Sequence, residues 1–397
     1  MLAALAAVFA LSHAFRTVAT VMAAQMQAEL ALSAQQLGVF AGAFSLAFAA
    51  MQLPMGVALD LYGPRRTVSG AFLAAIGGAL LSASAPSFGV LVTGQLLIGI
   101  GCAPAFLATM VFIAERYPAE RFTRLSGLVL ALGGLGMLIT GTPLAWVVQY
   151  GSWRAGFAVL AATAALAWLA VLLLVAEPPA DRRQSRESLG AALRGVGAIF
   201  AERHTLGIVV LGAVTYAAFI ALRGLWVVPL LTDRHAFSLL QSGHVVLVAS
   251  LAALIGPPIF GRLDPGGRTR RRWIIGGTAG LAALFAALAA GAPAWADIGI
   301  VVVTSIWSGY IVLQYADVRS AYARHLAGRA LAAFNMALFF GVALVQWLSG
   351  SAASLAGAND IDPLAAAFAV IAAMLLAGAL AFAWLPWPQG LRRREHG

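Results

Sequence analysis

The chain has 397 residues, of which 61% are apolar and 10% charged, with a formal net charge of +10. A soluble domain keeps about 25% charged residues to clothe its surface, so a water-facing globule is excluded and lipid must cover most of this protein. Every basic residue is arginine and the one cysteine is Cys102, which excludes an intramolecular disulfide, a cysteine metal cluster and a lysine-dependent Walker A loop.

A bilayer core of about 30 Å takes about 20 apolar residues per helix. Twelve such runs follow one another at 3–26, 36–59, 67–86, 88–113, 124–149, 155–176, 206–231, 239–260, 273–294, 297–316, 330–353 and 364–385. They are continuously apolar, without the two-residue alternation of a membrane β-barrel, and predict helices. The first run lacks a basic start and is interrupted by His13 and Arg16, so it reads as a retained helix rather than a cleaved leader. The longest polar stretch, 177–205, divides the runs six and six. The expected fold is an all-α polytopic membrane protein: an N-terminal six-helix bundle over 1–176, a linker over 177–205 and a C-terminal six-helix bundle over 206–397, the two bundles pseudo-symmetric. Within the linker, Ser188 to Phe200 predicts a short amphipathic surface helix.

The charge is distributed by side. Arg65, Arg66, Arg116, Arg121, Arg124, the linker arginines, Arg268 to Arg272 and Arg392 to Arg394 fall in loops or ends on one face, and only Arg154 and Arg234 in loops on the other. This is the positive-inside pattern, which predicts cytoplasmic termini in the cytoplasmic (inner) membrane and a topogenic rather than nucleic-acid role for the charge. Membrane lipid is the implied surround; no cofactor is implied, and a monomer is expected.

The two halves share local patterns. Glu29-Leu-Ala-Leu-Ser33 through Gly38 joins runs one and two, as Asp233-Arg-His-Ala-Phe-Ser238 through Gly243 joins runs seven and eight. Asp60-x-x-Gly63 with Arg65 and Arg66 has a counterpart in Asp264-x-x-Gly267 with Arg268 and Arg270. Both pairs suggest duplication.

Gly56-Val-Ala-Leu-Asp60-Leu-Tyr-Gly63-Pro-Arg65-Arg66 resembles the loop 2–3 signature of the major facilitator superfamily, and Gly151-Ser152-Trp153-Arg154-Ala-Gly-Phe157 resembles its loop 5–6 motif with one inserted serine. The resemblance spans the chain and implies a secondary transporter working by alternating access. It implies a latch on the cytoplasmic side in the outward-facing state, built from Asp60, Gly63, Arg65 and Arg66 with Glu115 and Arg116 as partners. Trp153 is expected to anchor at the membrane interface. Two departures lower the fit to proton-driven drug exporters: Gln95-Leu-Leu-Ile-Gly99 lacks the helix 4 arginine, and Gly141-Thr142-Pro143 lacks the following glycine pair. Phe15-Arg16-Thr17 loosely resembles the helix 1 arginine of the anion:cation symporter branch, without its preceding aspartate.

Ionisable residues inside a membrane point to function. No aspartate or glutamate lies deep in any run, but two arginines do. Arg16 precedes Glu29, and Arg223 precedes Asp233, by roughly 20 and 15 Å of helix. Both fall near the midplane of equivalent helices, one in each half. Helical spacing adds His13, Thr17 and Thr20 beside Arg16, and Tyr216 and Trp226 beside Arg223. In the superfamily, helices 1, 4, 7 and 10 line the cavity, which adds Gln95, Trp307, Tyr310 and Gln314; Asn335 and Gln346 on helix 11 are weaker candidates. Guanidinium forks suit carboxylate, sulfonate or phosphate. The expected substrate is a small organic anion between Arg16 and Arg223, with His13 tuning the site or carrying a coupling proton. The alternatives are a proton-coupled exporter of a neutral or amphiphilic compound, and a non-transporting membrane receptor. An intramembrane enzyme is not expected, since neither His-Glu-x-x-His nor Gly-x-Ser-x-Gly occurs.

Overall fold

A computed structural model describes residues 1–117, 119–176, 203–321 and 324–384. It is all helical over these residues. The spans are α1, a bent pair of Leu2–Arg16 and Ala19–Leu30 at 44°; α2, Ala34–Leu59; α3, Leu61–Ala83; α4, Phe88–Ile113; α5, Leu132–Tyr150; and α6, Trp153–Leu174. The second half has α7, Leu206–Arg234; α8, Leu239–Arg262; α9, Gly267–Ala290; α10, Ala294–Val318; α11, Ala333–Gly357; and α12, Pro363–Trp384. The twelve expected runs are all helices, and the protein is an all-α polytopic membrane protein. The linker helix expected at 188–200 lies outside the described residues.

Two starts come six residues earlier than the hydropathy reading. Helix α3 begins six residues earlier than the apolar run, because Gly63 alone leaves helical geometry (φ 80°, ψ 171°) and turns the chain without a loop. Only glycine adopts that conformation at low cost. Helix α9 begins at Gly267, so Arg268 to Arg272 form its first turns.

The two halves share a backbone detail. Ala31 and Ala236 both take left-handed geometry (φ 51° and 56°). Each stands two residues before a serine, Ser33 or Ser238, that closes a capping box with Gln36 or Gln241. Helices α2 and α8 therefore start the same way.

Close glycine contacts hold the helices together. A Cβ on Gly136 of α5 would stand 1.7 Å from the Ala10 carbonyl oxygen of α1, and one on Gly341 of α11 would stand 1.8 Å from that of Ala213 on α7. These are equivalent helix pairs in the two halves. Across the halves, Gly38 of α2 meets the backbone of Gln346 and Gly350 on α11, and Gly243 of α8 meets Thr142 and Ala145 on α5.

One anchor differs from expectation. Trp153 is buried at 1% exposure rather than lying at the lipid interface. Its indole Nε1 donates to Glu29 Oε2 at 2.7 Å, its backbone N–H donates to Gln25 Oε1, and Arg154 pairs with Glu29 and donates to the Ala85 carbonyl. The tryptophan-arginine pair thus pins α6 to α1 and α3, and its polar partners are protein groups rather than lipid headgroups. This pair marks one end of the bundle, the Trp153 face; the opposite end is the Gly63 face.

Candidate functional site

The two deep arginines lie where three helices lose regularity. In α1, the Thr17 N–H bonds to the Ala14 carbonyl, and the Thr17 hydroxyl takes the His13 carbonyl at 3.3 Å. The bend follows immediately after Arg16. In α7, Leu222–Trp226 is a π-turn that contains Arg223. Such bulges break the regular ladder and often mark functional sites. In α5, Gly141 N–H bonds to Leu138 rather than Met137, which leaves the Met137 carbonyl to find another donor.

The Thr140 hydroxyl donates to that carbonyl at 3.0 Å, and Arg223 supplies a second donor. Its Nη2 donates to the Met137 carbonyl at 2.6 Å and to Thr140 Oγ1 at 3.0 Å, and its Nε donates to Ser250 Oγ at 2.9 Å. Thr140 also shares a 2.8 Å hydroxyl contact with Thr17. One guanidinium therefore ties α7 and α8 of the second half to α5 and, through Thr140, to α1 of the first. Arg223 is 1% exposed, and only its Nη1 has no partner.

Arg16 sits differently. Its Nη1 donates to the Tyr216 hydroxyl at 2.7 Å, reaching from the first half to the second. Its guanidinium carbon lies 4.5 Å from the Phe339 ring centre, 5.2 Å from Phe48 and 6.0 Å from Phe44. Phe44 and Phe48 come from α2 and Phe339 from α11, so the cage too is made by both halves. Cation–π contacts stabilise such an ion by roughly 0.5–2 kcal/mol each, but they do not neutralise it. Arg16 is 5% exposed, its Nε has no partner, and no carboxylate among the described residues pairs with either deep arginine.

The other expected residues separate into groups. Thr17 belongs to the threonine link, and Tyr216 to the cage. His13 packs edge-on against Phe9, with its Nδ1 buried and unpartnered. Thr20 Oγ1 and Gln95 Nε2 are buried without partners. Asn335 accepts from the Tyr315 hydroxyl at 3.1 Å on α10. Tyr310, Gln314 and Trp307 are engaged inside the second half: Tyr310 with Thr278, Gln314 with Thr215, and Trp307 Nε1 with the Gly277 carbonyl. Trp226 donates to Ser349 at 3.0 Å, and lines a cavity on the Trp153 face that contains neither arginine.

Of the expected latch, Gly63 forms the turn, Arg65 caps the end of α6 at the Leu172 carbonyl (2.7 Å), and Arg66 and Arg116 are exposed. The side chains of Asp60 and Glu115 lie outside the described residues. In the second half, Asp264 accepts two hydrogen bonds from Arg270, both at 2.7 Å. That guanidinium holds the Asp264 carboxyl below the usual carboxylate range.

Sequence reasoning missed Phe44, Phe48, Phe339, Thr140 and Ser250. Aromatics in apolar runs carry no signal that separates a cage from packing, and the break in α5 that recruits Thr140 is a backbone event.

A family model described as the Major Facilitator Superfamily matches residues 5–346. The chain belongs to the Major Facilitator Superfamily. Its family and fold are those of transporters, and it is a multi-pass membrane protein. Among curated relatives, the facilitated glucose transporter member 12 of solute carrier family 2 from Xenopus laevis is 29% identical over 160 residues, covering 39% of this chain and 26% of that protein. A uridine/deoxyuridine transporter of Lactococcus lactis is 25% identical over 46% of this chain and 40% of its own. A probable sulfoacetate transporter of Cupriavidus necator is 33% identical over 38% of this chain and 34% of its own. The match thus spans well under half the length of these relatives. Solved structures share the fold over nearly the whole chain. The nucleoside transporter NupG has a TM-score of 0.75 at 14% identity, covering 96% of this chain and 98% of its own. A D-xylose–proton symporter has a TM-score of 0.70 at 17% identity, covering 98% of both chains.

Proposed function

We propose that this protein is a secondary transporter that moves a small organic anion by alternating access, with Arg16 as the principal solute ligand. The carrying observation is the state of that guanidinium. It is buried between the halves, caged by aromatic rings from both, and hydrogen-bonded only to a neutral phenol. A buried charge without a counter-charge is costly, and an anionic solute offsets that cost on arrival. Sulfonate and carboxylate oxygens match its fork. The sulfoacetate named for one relative carries both groups. Arg223 fastens the halves and offers one remaining N–H. The Gly63 face, where the loop arginines cluster, is the cytoplasmic face in this reading, and His13 is the candidate proton carrier.

The test is uptake into proteoliposomes with sulfoacetate as the first probe. Arg16→Gln removes about two charge-assisted hydrogen bonds of roughly 1.5–3 kcal/mol each, so affinity falls about 100-fold or more. Unchanged sulfoacetate uptake by that variant, in protein that is folded and reconstituted, overturns the proposal.

A second reading has specific support. Gln346 is fully buried with both amide atoms unpartnered, and Gln95 keeps an unpartnered Nε2. Such amides suit a neutral polar solute of the kind named for the glucose and uridine relatives. Competition by D-glucose or uridine, without competition by sulfoacetate, selects this reading.

A further inference from the structure

A cavity of about 580 Å³ opens on the Trp153 face between the halves, and Arg16 does not line it. Ala34 and Leu37 of α2 make one wall. Leu225, Trp226 and Pro229 of α7, with Leu364 of α12, make the floor and the opposite wall. This surface is apolar and includes an indole.

The rim is acidic. Asp233 and Asp362 line it, and Asp362 is 50% exposed. Arg234 lines it too, but its guanidinium is committed: Nη1 donates to the Leu288 carbonyl at 2.8 Å and lies 3.5 Å from Asp297, and Nη2 donates to Asp362 at 2.9 Å. Asp297, fully buried beneath the rim, also meets His235 Nε2 at 2.8 Å. Asp297 and Asp362 thus share one guanidinium, while Asp233 accepts from the Thr232 hydroxyl at 2.6 Å, so acidic side chains outnumber arginines around the opening. Low-dielectric walls focus that field into the opening.

We propose that this cavity is a binding site for a compact organic cation with an apolar body, such as a quaternary or protonated amine bearing an aromatic ring. The carboxylates attract the charge, and the Trp226 floor takes the apolar body. Because its walls come from both halves, an occupant holds them in their present relation and opposes rearrangement. The site is chemically opposite to the Arg16 cage and does not depend on the reading of that cage.

Ser354 lines the cavity, and the native Cys102 is buried in α4, so Ser354→Cys gives a local reporter. Its labelling is compared with a cationic trimethylammonium-ethyl methanethiosulfonate and an anionic sulfonatoethyl one, each normalised to a free thiol. The expected preference for the cationic reagent is about tenfold, within the range of electrostatic focusing. Benzyltriethylammonium is expected to protect the thiol, and benzenesulfonate is not. Adding Asp233→Asn and Asp362→Asn should remove most of both effects. Equal normalised rates, equal protection by the two competitors, or protection that survives the double neutralisation overturns the proposal. Ala353→Cys serves as a second reporter, and failure of both to label in folded protein equally overturns it.

Discussion

Arg16 and Arg223 look alike in sequence, yet their surroundings assign them different work. Arg223 spends two of its three nitrogens on neutral oxygens from both halves, among them a carbonyl freed by the break in α5. Arg16 keeps one hydrogen bond and an aromatic cage. Arg223→Gln should therefore act on stability, since leaving such buried acceptors short of donors costs roughly 1–3 kcal/mol; its melting temperature in detergent should fall by several degrees. Arg16→Gln should melt within a degree or two of the parent, because it gives up one bond and a desolvated charge. A melting curve for each variant separates the roles, and a larger loss for Arg16→Gln than for Arg223→Gln refutes the assignment. Both arginines were legible in the sequence, because a charge inside an apolar run stands out. Their partners were not. Thr140 and Ser250 are ordinary small polar residues, and Phe339 reads as packing.

At the scale of elements, regular hydropathy was enough to place twelve helices, while the features that build the site are departures from regularity. The bend after Arg16, the π-turn at Arg223 and the break at Gly141 each occupy a turn or less, and a window of twenty residues averages them away. The burial of Asp297 was hidden in the same way: near the end of a run it reads as a water-facing residue, but it is enclosed by His235 and Arg234. Glycine contacts are partly legible, since abundant glycine implies close helices without naming the pairs. The equivalence of Gly136 of α5, packed on α1, and Gly341 of α11, packed on α7, makes a sharp prediction. An alanine methyl at either position would have to stand within 2 Å of a carbonyl oxygen, so the helices must separate. Gly136→Ala and Gly341→Ala should each destabilise by about 1–3 kcal/mol or more, as overpacking does, and by similar amounts if the halves are true repeats. Gly70, which has open space around it, supplies the control: Gly70→Ala should be neutral or slightly stabilising in the same melting assay.

At the scale of the molecule, the question is how two halves stay joined and still move. On the Gly63 face, Asp264 and Arg270 bind each other within the second half. The folded-state carboxyl lies below its unfolded value, so this pair adds stability that is present above about pH 4 and is lost as acid titrates the folded carboxylate. Asp264→Asn should flatten that acid limb of a melting-temperature profile and leave the neutral region offset by a constant amount. On the Trp153 face, by contrast, the closures cross between halves. Gly38 packs on the α11 backbone, and the Gln35 N–H donates to Ser354 Oγ at 2.7 Å. Alternating access requires these contacts to part, whereas a rigid receptor has no such need. A disulfide between Gln35→Cys and Ser354→Cys would join α2 to α11 at that point, and buried Cys102 is too enclosed to compete for either thiol. Oxidised double variant in proteoliposomes should show no sulfoacetate exchange, and reduction should restore it to the level of the single variants. The reversible loss separates a locked transporter from a misfolded one. Exchange that continues with the disulfide fully formed means that this face does not open during transport, and the rocking of the two halves about Arg16 and Arg223 must then be abandoned.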